Sequence, residues 1–104
     1  MIVRQWRAWA SPANADQYEQ HFREHVIPHL KEIDGFVRAH LLRRDNYGII
    51  ELIVQSHFES IDAIRAFAGE QFSHAVVAPE AKAILARYDD RCTHFEIAAD
   101  TDEV

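Results

Sequence analysis

Apolar and aromatic residues are interspersed with polar ones along "IVRQWRAWA", residues 2–10, which reads as a strand. Over 14–33 the spacing lengthens: Tyr18, Phe22, Val26, Leu30 and Ile33 fall on one face of a helix capped by Asn14 or Asp16. Strands over 36–44 and 49–58 flank "DNYG", whose glycine marks a hairpin turn. Ser60 caps a helix over 61–68, with Asp62 near its positive end. Pro79 opens another helix that runs to about Tyr88. "RCTHFEIA" reads as a last strand, and "ADTDEV" as an acidic tail, 99–104, beyond one domain over 1–98.

Strand, helix, strand, strand, helices, strand is the split βαβ order of a ferredoxin-like α+β sandwich. Its four-stranded antiparallel sheet carries helices on one face. With Leu41 opposite Leu52, one side of the hairpin presents Val37, Ala39 and Leu41 against Ile50, Leu52 and Val54. The other presents Phe36, His40 and Leu42 against Glu51, Ile53 and Gln55, joined by His94 and Glu96. Neither side is wholly polar, so one meets the helices and the other is expected to meet a second copy. Leu41, Leu52 and Val54 are placed in that homodimer interface.

Composition narrows the function. The chain has 104 residues, 48% hydrophobic and 27% charged, a balance suited to a folded domain. Its formal charge is −6 and no stretch clusters Lys and Arg, which argues against a nucleic-acid partner. Protonating all seven histidines would take −6 to +1, so the surface charge collapses over roughly pH 7 to 5. The single cysteine, Cys92, excludes an internal disulfide and any multi-cysteine zinc site. No apolar run approaches the ~18 residues of a membrane span, and Arg4, Gln5 and Arg7 interrupt the start where a signal peptide needs an apolar core. A cytoplasmic protein is expected.

The candidate chemistry lies in histidines. "HFREHVIPHL" sets His21, His25 and His29 four apart on the helix. On a helical wheel His29 lies about 40° from the apolar stripe, His25 about 80° and His21 about 120°, so His25 and His29 face inward and His21 faces solvent. One metal cannot use all three, because positions eight apart are separated by about 12 Å. No metal is expected. His40, Glu51 and His94 fall on one sheet side in the register above, and a carboxylate beside an imidazole suits a general base. His25, His40, Glu51 and His94 are therefore the catalytic candidates. Trp6, on the opposite side of strand one from Trp9, can wall a substrate pocket with Phe22, His29 and Phe67.

Three stretches, "IDGFVRAHLLRR", "FESIDAIRAFAGEQFSHAVVAPEA" and the closing "THFEI", carry a resemblance. Over about residues 2–98 the chain resembles the antibiotic biosynthesis monooxygenase family of the dimeric α+β barrel superfamily. The resemblance implies two ferredoxin-like subunits whose sheets close into a barrel, with a pocket between helices and sheet in each. Some relatives oxygenate aromatic polyketides or quinols without metal or flavin, and others degrade haem. Haem-degrading relatives carry an Asn in strand one and a Trp and a His after strand three. Here strand one lacks Asn, the helical region offers Phe67 rather than Trp, and His74 lacks the matching spacing. Phe58 stands where relatives often have Trp. The expected function is a cofactor-independent monooxygenase acting on a small aromatic or quinol-type substrate. The alternatives are a histidine-dependent isomerase or cyclase in the same pocket, and a non-catalytic ligand-binding or structural dimer.

Overall fold

The computed structural model describes residues 1–103. Strand β1, Ile2–Ala10, lies inside an antiparallel sheet ordered β2-β3-β1-β4. Here β2 is Phe36–Asn46, β3 is Ile49–Phe58 and β4 is Arg87–Tyr88. A fifth strand, β5 at Thr93–Glu96, also pairs β1. The expected four strands are thus five segments, because the edge strand is broken between Tyr88 and Thr93. On either side of Arg87–Tyr88, Ala86 N–H and Asp89 N–H donate to the carbonyls of Trp9 and Arg7. These bonds draw 87–88 into the sheet, so the helix expected over 79–88 stops as α4, Pro79–Lys82. No helix is long and apolar enough to cross a membrane among the described residues.

The first helix starts earlier than Asn14. Ser11 accepts from the Asn14 N–H, Pro12 occupies the first turn, and α1 runs Pro12–His21. A π-helical stretch, Phe22–Val26, follows and leads into α2, Ile27–Lys31. Pro28 has no N–H, and its ring crowds the carbonyl one turn back. The wider turn, closed by Ile27 N–H donating to Phe22 carbonyl, lets the helix continue past it. Helix α3, Ile61–Ala68, begins at Ser60, whose hydroxyl accepts from Ala63 N–H, and so matches its expected bounds.

The hairpin register differs from expectation by two residues, Leu41 pairing Val54 and Arg43 pairing Leu52. The turn sits on Tyr47 (φ 56°) and Gly48 (φ 87°), two positive-φ positions in a row. A Leu41–Leu52 pairing would centre the turn on Asn46–Tyr47 and leave Gly48 in the strand. A shift of two keeps each face intact. A bulge at Val37 does not, and it turns Phe36 to the helix side, edge-on to Phe58.

The helices cover the face carrying Trp6, Ala8, Ala10, Ile50, Leu52 and Phe58, all buried. Leu41 and Val54 pack into the same core. Leu41, Leu52 and Val54 therefore belong under the helices and not to a dimer interface. The open face carries Val3, Gln5, Trp9, Leu42, Ile53 and Gln55.

Candidate functional site

Between the helix face of the sheet and α1 lies a narrow cavity of about 60 Å³. Its walls are Trp6 from β1, Tyr18 and His21 from α1, Val26 and Leu30 from the continuing helix, and Phe67 from α3. Ser56 and Cys92 add polar atoms, and the segment Val76–Ala78 closes it.

The walls are held by specific bonds. The Trp6 indole N–H donates to Asp89 carbonyl at 2.7 Å, at the break in the edge strand. Its ring centroid lies 5.9 Å from that of Tyr18 and 6.3 Å from that of Tyr88. The closing segment is tied to the same break by Ala75 N–H donating to Asp90 carbonyl and Cys92 N–H to Ser73 carbonyl. Tyr18 is buried, and burial pushes its phenol pKa up, so the hydroxyl stays protonated. It has no hydrogen-bond partner among the described residues.

At one end sits Arg4, only 5% exposed. Its Nη1 donates to Phe72 carbonyl and contacts His94 Nε2 at 3.0 Å, and its Nη2 donates to His74 carbonyl at 3.1 Å. Arginine has only donors, so His94 Nε2 accepts and the imidazole is neutral with its proton on Nδ1. Burial, then the Arg4 charge, holds the His94 pKa below the usual histidine value. At the rim, His21 stacks against Tyr18 with centroids 5.7 Å apart. Burial lowers the His21 pKa, Glu80 opposes that shift, and His25 adds to it. His21 is thus a neutral imidazole at pH 7.

The structure sorts the sequence candidates. Trp6 and Phe67 line the cavity, while Phe22 is buried in the adjoining core. His94 reaches the site through Arg4. His40, Glu51 and His94 do not form one cluster, because pairing with Arg4 turns His94 to the helix side. His40 and Glu51 stay on the open face, His40 bonded to Gln55 Oε1 at 2.8 Å and Glu51 to Arg44. The order of helix histidines is also reversed: His21 is half-buried and lines the cavity, whereas His25 and His29 are exposed. The π stretch lies between them and changes the wheel past Phe22. His29 instead packs its ring 5.2 Å from Phe67.

Arg4, Tyr18, His21, Ser56 and Cys92 were not among the sequence candidates. The signal for Arg4 was phase, since it shares a strand face with Ile2, Trp6, Ala8 and Ala10. A haem does not fit this cavity. A haem, with its tetrapyrrole macrocycle, is far larger than a volume of about 60 Å³. His74 is exposed and offers the site its carbonyl, through Arg4.

The family model for antibiotic biosynthesis monooxygenases matches residues 1–87. Three solved structures share the fold. A Bacillus cereus protein assigned to antibiotic biosynthesis monooxygenases is 13% identical, with a TM-score of 0.71 over 97% of this chain and 94% of that one. SnoaB, a cofactor-independent oxygenase from Streptomyces nogalater, is 16% identical, with a TM-score of 0.64 over 96% of each chain. The haem degrader MhuD from Mycobacterium tuberculosis, with two haems bound in its active site, is 23% identical, with a TM-score of 0.63 over 97% and 99%. No curated protein matches the chain by sequence. One fold thus carries two chemistries, and the choice between them rests on the site.

Proposed function

Because this chain belongs to the antibiotic biosynthesis monooxygenase family, we propose that it is a cofactor-independent oxygenase of a small, ionisable aromatic or quinol-type substrate, with the helix–sheet cavity as its active site. The observation that carries this reading is an apolar, aromatic-walled cavity with a neutral imidazole, His21, at its rim.

Oxygen reacts slowly with closed-shell organic molecules, so the substrate must be made electron-rich. His21 takes a proton from a phenol or quinol, and the resulting anion passes an electron to O₂. In quinol oxygenation one ring C–H becomes C–OH and the ring becomes a quinone. The substrate loses four electrons, one oxygen atom enters the product, and the other leaves as water. Tyr18, protonated and buried, donates a hydrogen bond to the anion. Trp6 and Phe67 exclude water, which strengthens each electrostatic contact inside. In this reading His94 orients Arg4 and is not the base, because its Nε2 lone pair is committed to the guanidinium.

The open sheet face supports pairing with a second copy. Leu42 is 44% and Phe95 50% exposed, and Ile53 and Val3 add apolar area between them. Such a face is what a homodimer covers.

Oxygen consumption in chelator-treated buffer without flavin tests the oxygenase. Uptake of one O₂ per quinol ring converted to hydroxyquinone is expected. Saturable binding without uptake across a panel of ionisable rings would leave a ligand-binding protein instead.

A further inference from the structure

We infer that the cavity takes its ligand as a carboxylate, with Arg4 as the anchor, so that the substrate class is a single-ring aromatic acid. This rests on the cavity being the ligand site. It does not depend on oxygen being the co-substrate.

Among the described residues, Arg4 is a buried cation without an acid. Ion pairs engage Arg7, Arg23, Arg43, Arg44 and Arg65, whose side chains are 32–71% exposed. Among the described residues no carboxylate lies within pairing distance of Arg4. Scarcity is not the reason, since the chain has 17 acidic residues against 11 Lys and Arg. Two carbonyls and an imidazole satisfy three of the guanidinium's five N–H groups. They supply lone pairs but no negative charge, and a buried charge is costly until it is paired. Cys92 cannot supply that charge. Burial pushes its thiol pKa up, against the pull of Arg4 and with a further push from Asp89, so it stays protonated at pH 7.

The open donors define the missing partner. Nε–H and one Nη2–H remain without a partner among the described residues, and Arg4 itself lines the cavity. Guanidinium and carboxylate meet as two parallel N–H···O bonds, a match that an alcohol or amide lacks. Phe67 lies beside the guanidinium, its centroid 5.8 Å from Cζ, and Trp6 and Tyr18 continue the aromatic wall. A carboxylate on Arg4 would therefore carry its ring between these side chains, and the small volume favours one ring over a fused system. Arg4 is also a brace, because two of its bonds hold the carbonyls of Phe72 and His74.

Calorimetric titration with benzoate, benzamide and benzyl alcohol separates anchor from brace. Wild-type protein should bind benzoate saturably and benzamide at least about 10-fold more weakly, as a charge-assisted bond of 1.5–3 kcal/mol requires. Arg4→Met should abolish that preference, and Arg4→Lys, which keeps charge without the fork, should retain only part of it. If Arg4→Met fails to fold, the wild-type preference alone decides. Equal binding of benzoate and benzamide, or no benzoate binding while neutral phenols consume oxygen, would overturn the carboxylate anchor and leave the oxygenase standing. Benzoate selectivity without oxygen uptake on any aromatic acid would sustain the anchor and remove the oxygenase.

Discussion

Trp6 shows how one side chain serves both fold and site: its ring walls a cavity while its N–H is spent on Asp89 carbonyl. Trp6→Phe keeps an aromatic wall but leaves that carbonyl without its donor. A loss of roughly 1–2 kcal/mol in urea unfolding is expected, with an unchanged slope. A second prediction concerns pH. His21, His57 and His94 each have a pKa below the ordinary value, burial being the largest cause in all three. Their folded pKa values lie below the unfolded one, so on acidification the unfolded chain takes up these protons first. The stability they support is complete above about pH 6.5 and is lost as pH falls through the folded values. Thermal midpoints should therefore drop between pH 7.5 and 5.5, and a flat or rising midpoint would contradict the burial of these imidazoles. Residue identity in the sequence points to histidines and aromatics, and of these Trp6 and Phe67 line the cavity. It missed Arg4 because a charged side chain in a strand reads as solvated, although its phase with Trp6 and Ala8 placed it inside.

Elements were legible where the deciding interactions are local. Ser60, Asp62 and Gly69 bracket α3 within a dozen residues, and the helix follows its caps. Ser60→Ala should cost about 1 kcal/mol by removing an orphan-donor partner. Gly35 is a stricter case. It has φ +89°, and a Cβ there would stand 2.8 Å from the Ala63 Cβ on α3. Gly35→Ala combines backbone strain with a clash against the buried Ala63 side chain and should destabilise by more than ~1 kcal/mol. Unfolding in denaturant measures both, and a neutral Gly35→Ala would mean that α3 does not sit this close. What was not legible is what tertiary contact decides. The helix after Pro79 ends early because residues 86 and 89 find carbonyls on β1, far away in sequence. The π stretch depends on a balance between Pro28 and a continuing apolar stripe that spacing alone does not reveal.

At the scale of the whole molecule, the two faces of the sheet divide the labour. The helix face holds the cavity, and the open face holds a cross-strand ladder from Gln5 through Gln55 to His40, with exposed apolar side chains around it. Sedimentation should give about twice the 12.0 kDa chain mass. Ile53→Arg on the open face should shift the protein toward the monomer while it stays folded, and a wild-type monomer at micromolar concentration would contradict the pairing. The same division separates His21 from His40, one at the cavity and the other across the sheet, so a single comparison tests where the chemistry occurs. Oxygen-uptake rates of His21→Gln and His40→Gln on the same ionisable aromatic substrate make that comparison. A fall of roughly 10²-fold or more is expected for His21→Gln, as loss of a general base entails, and little change for His40→Gln. Wild-type rates in His21→Gln, or a collapse confined to His40→Gln, would contradict His21 as the base.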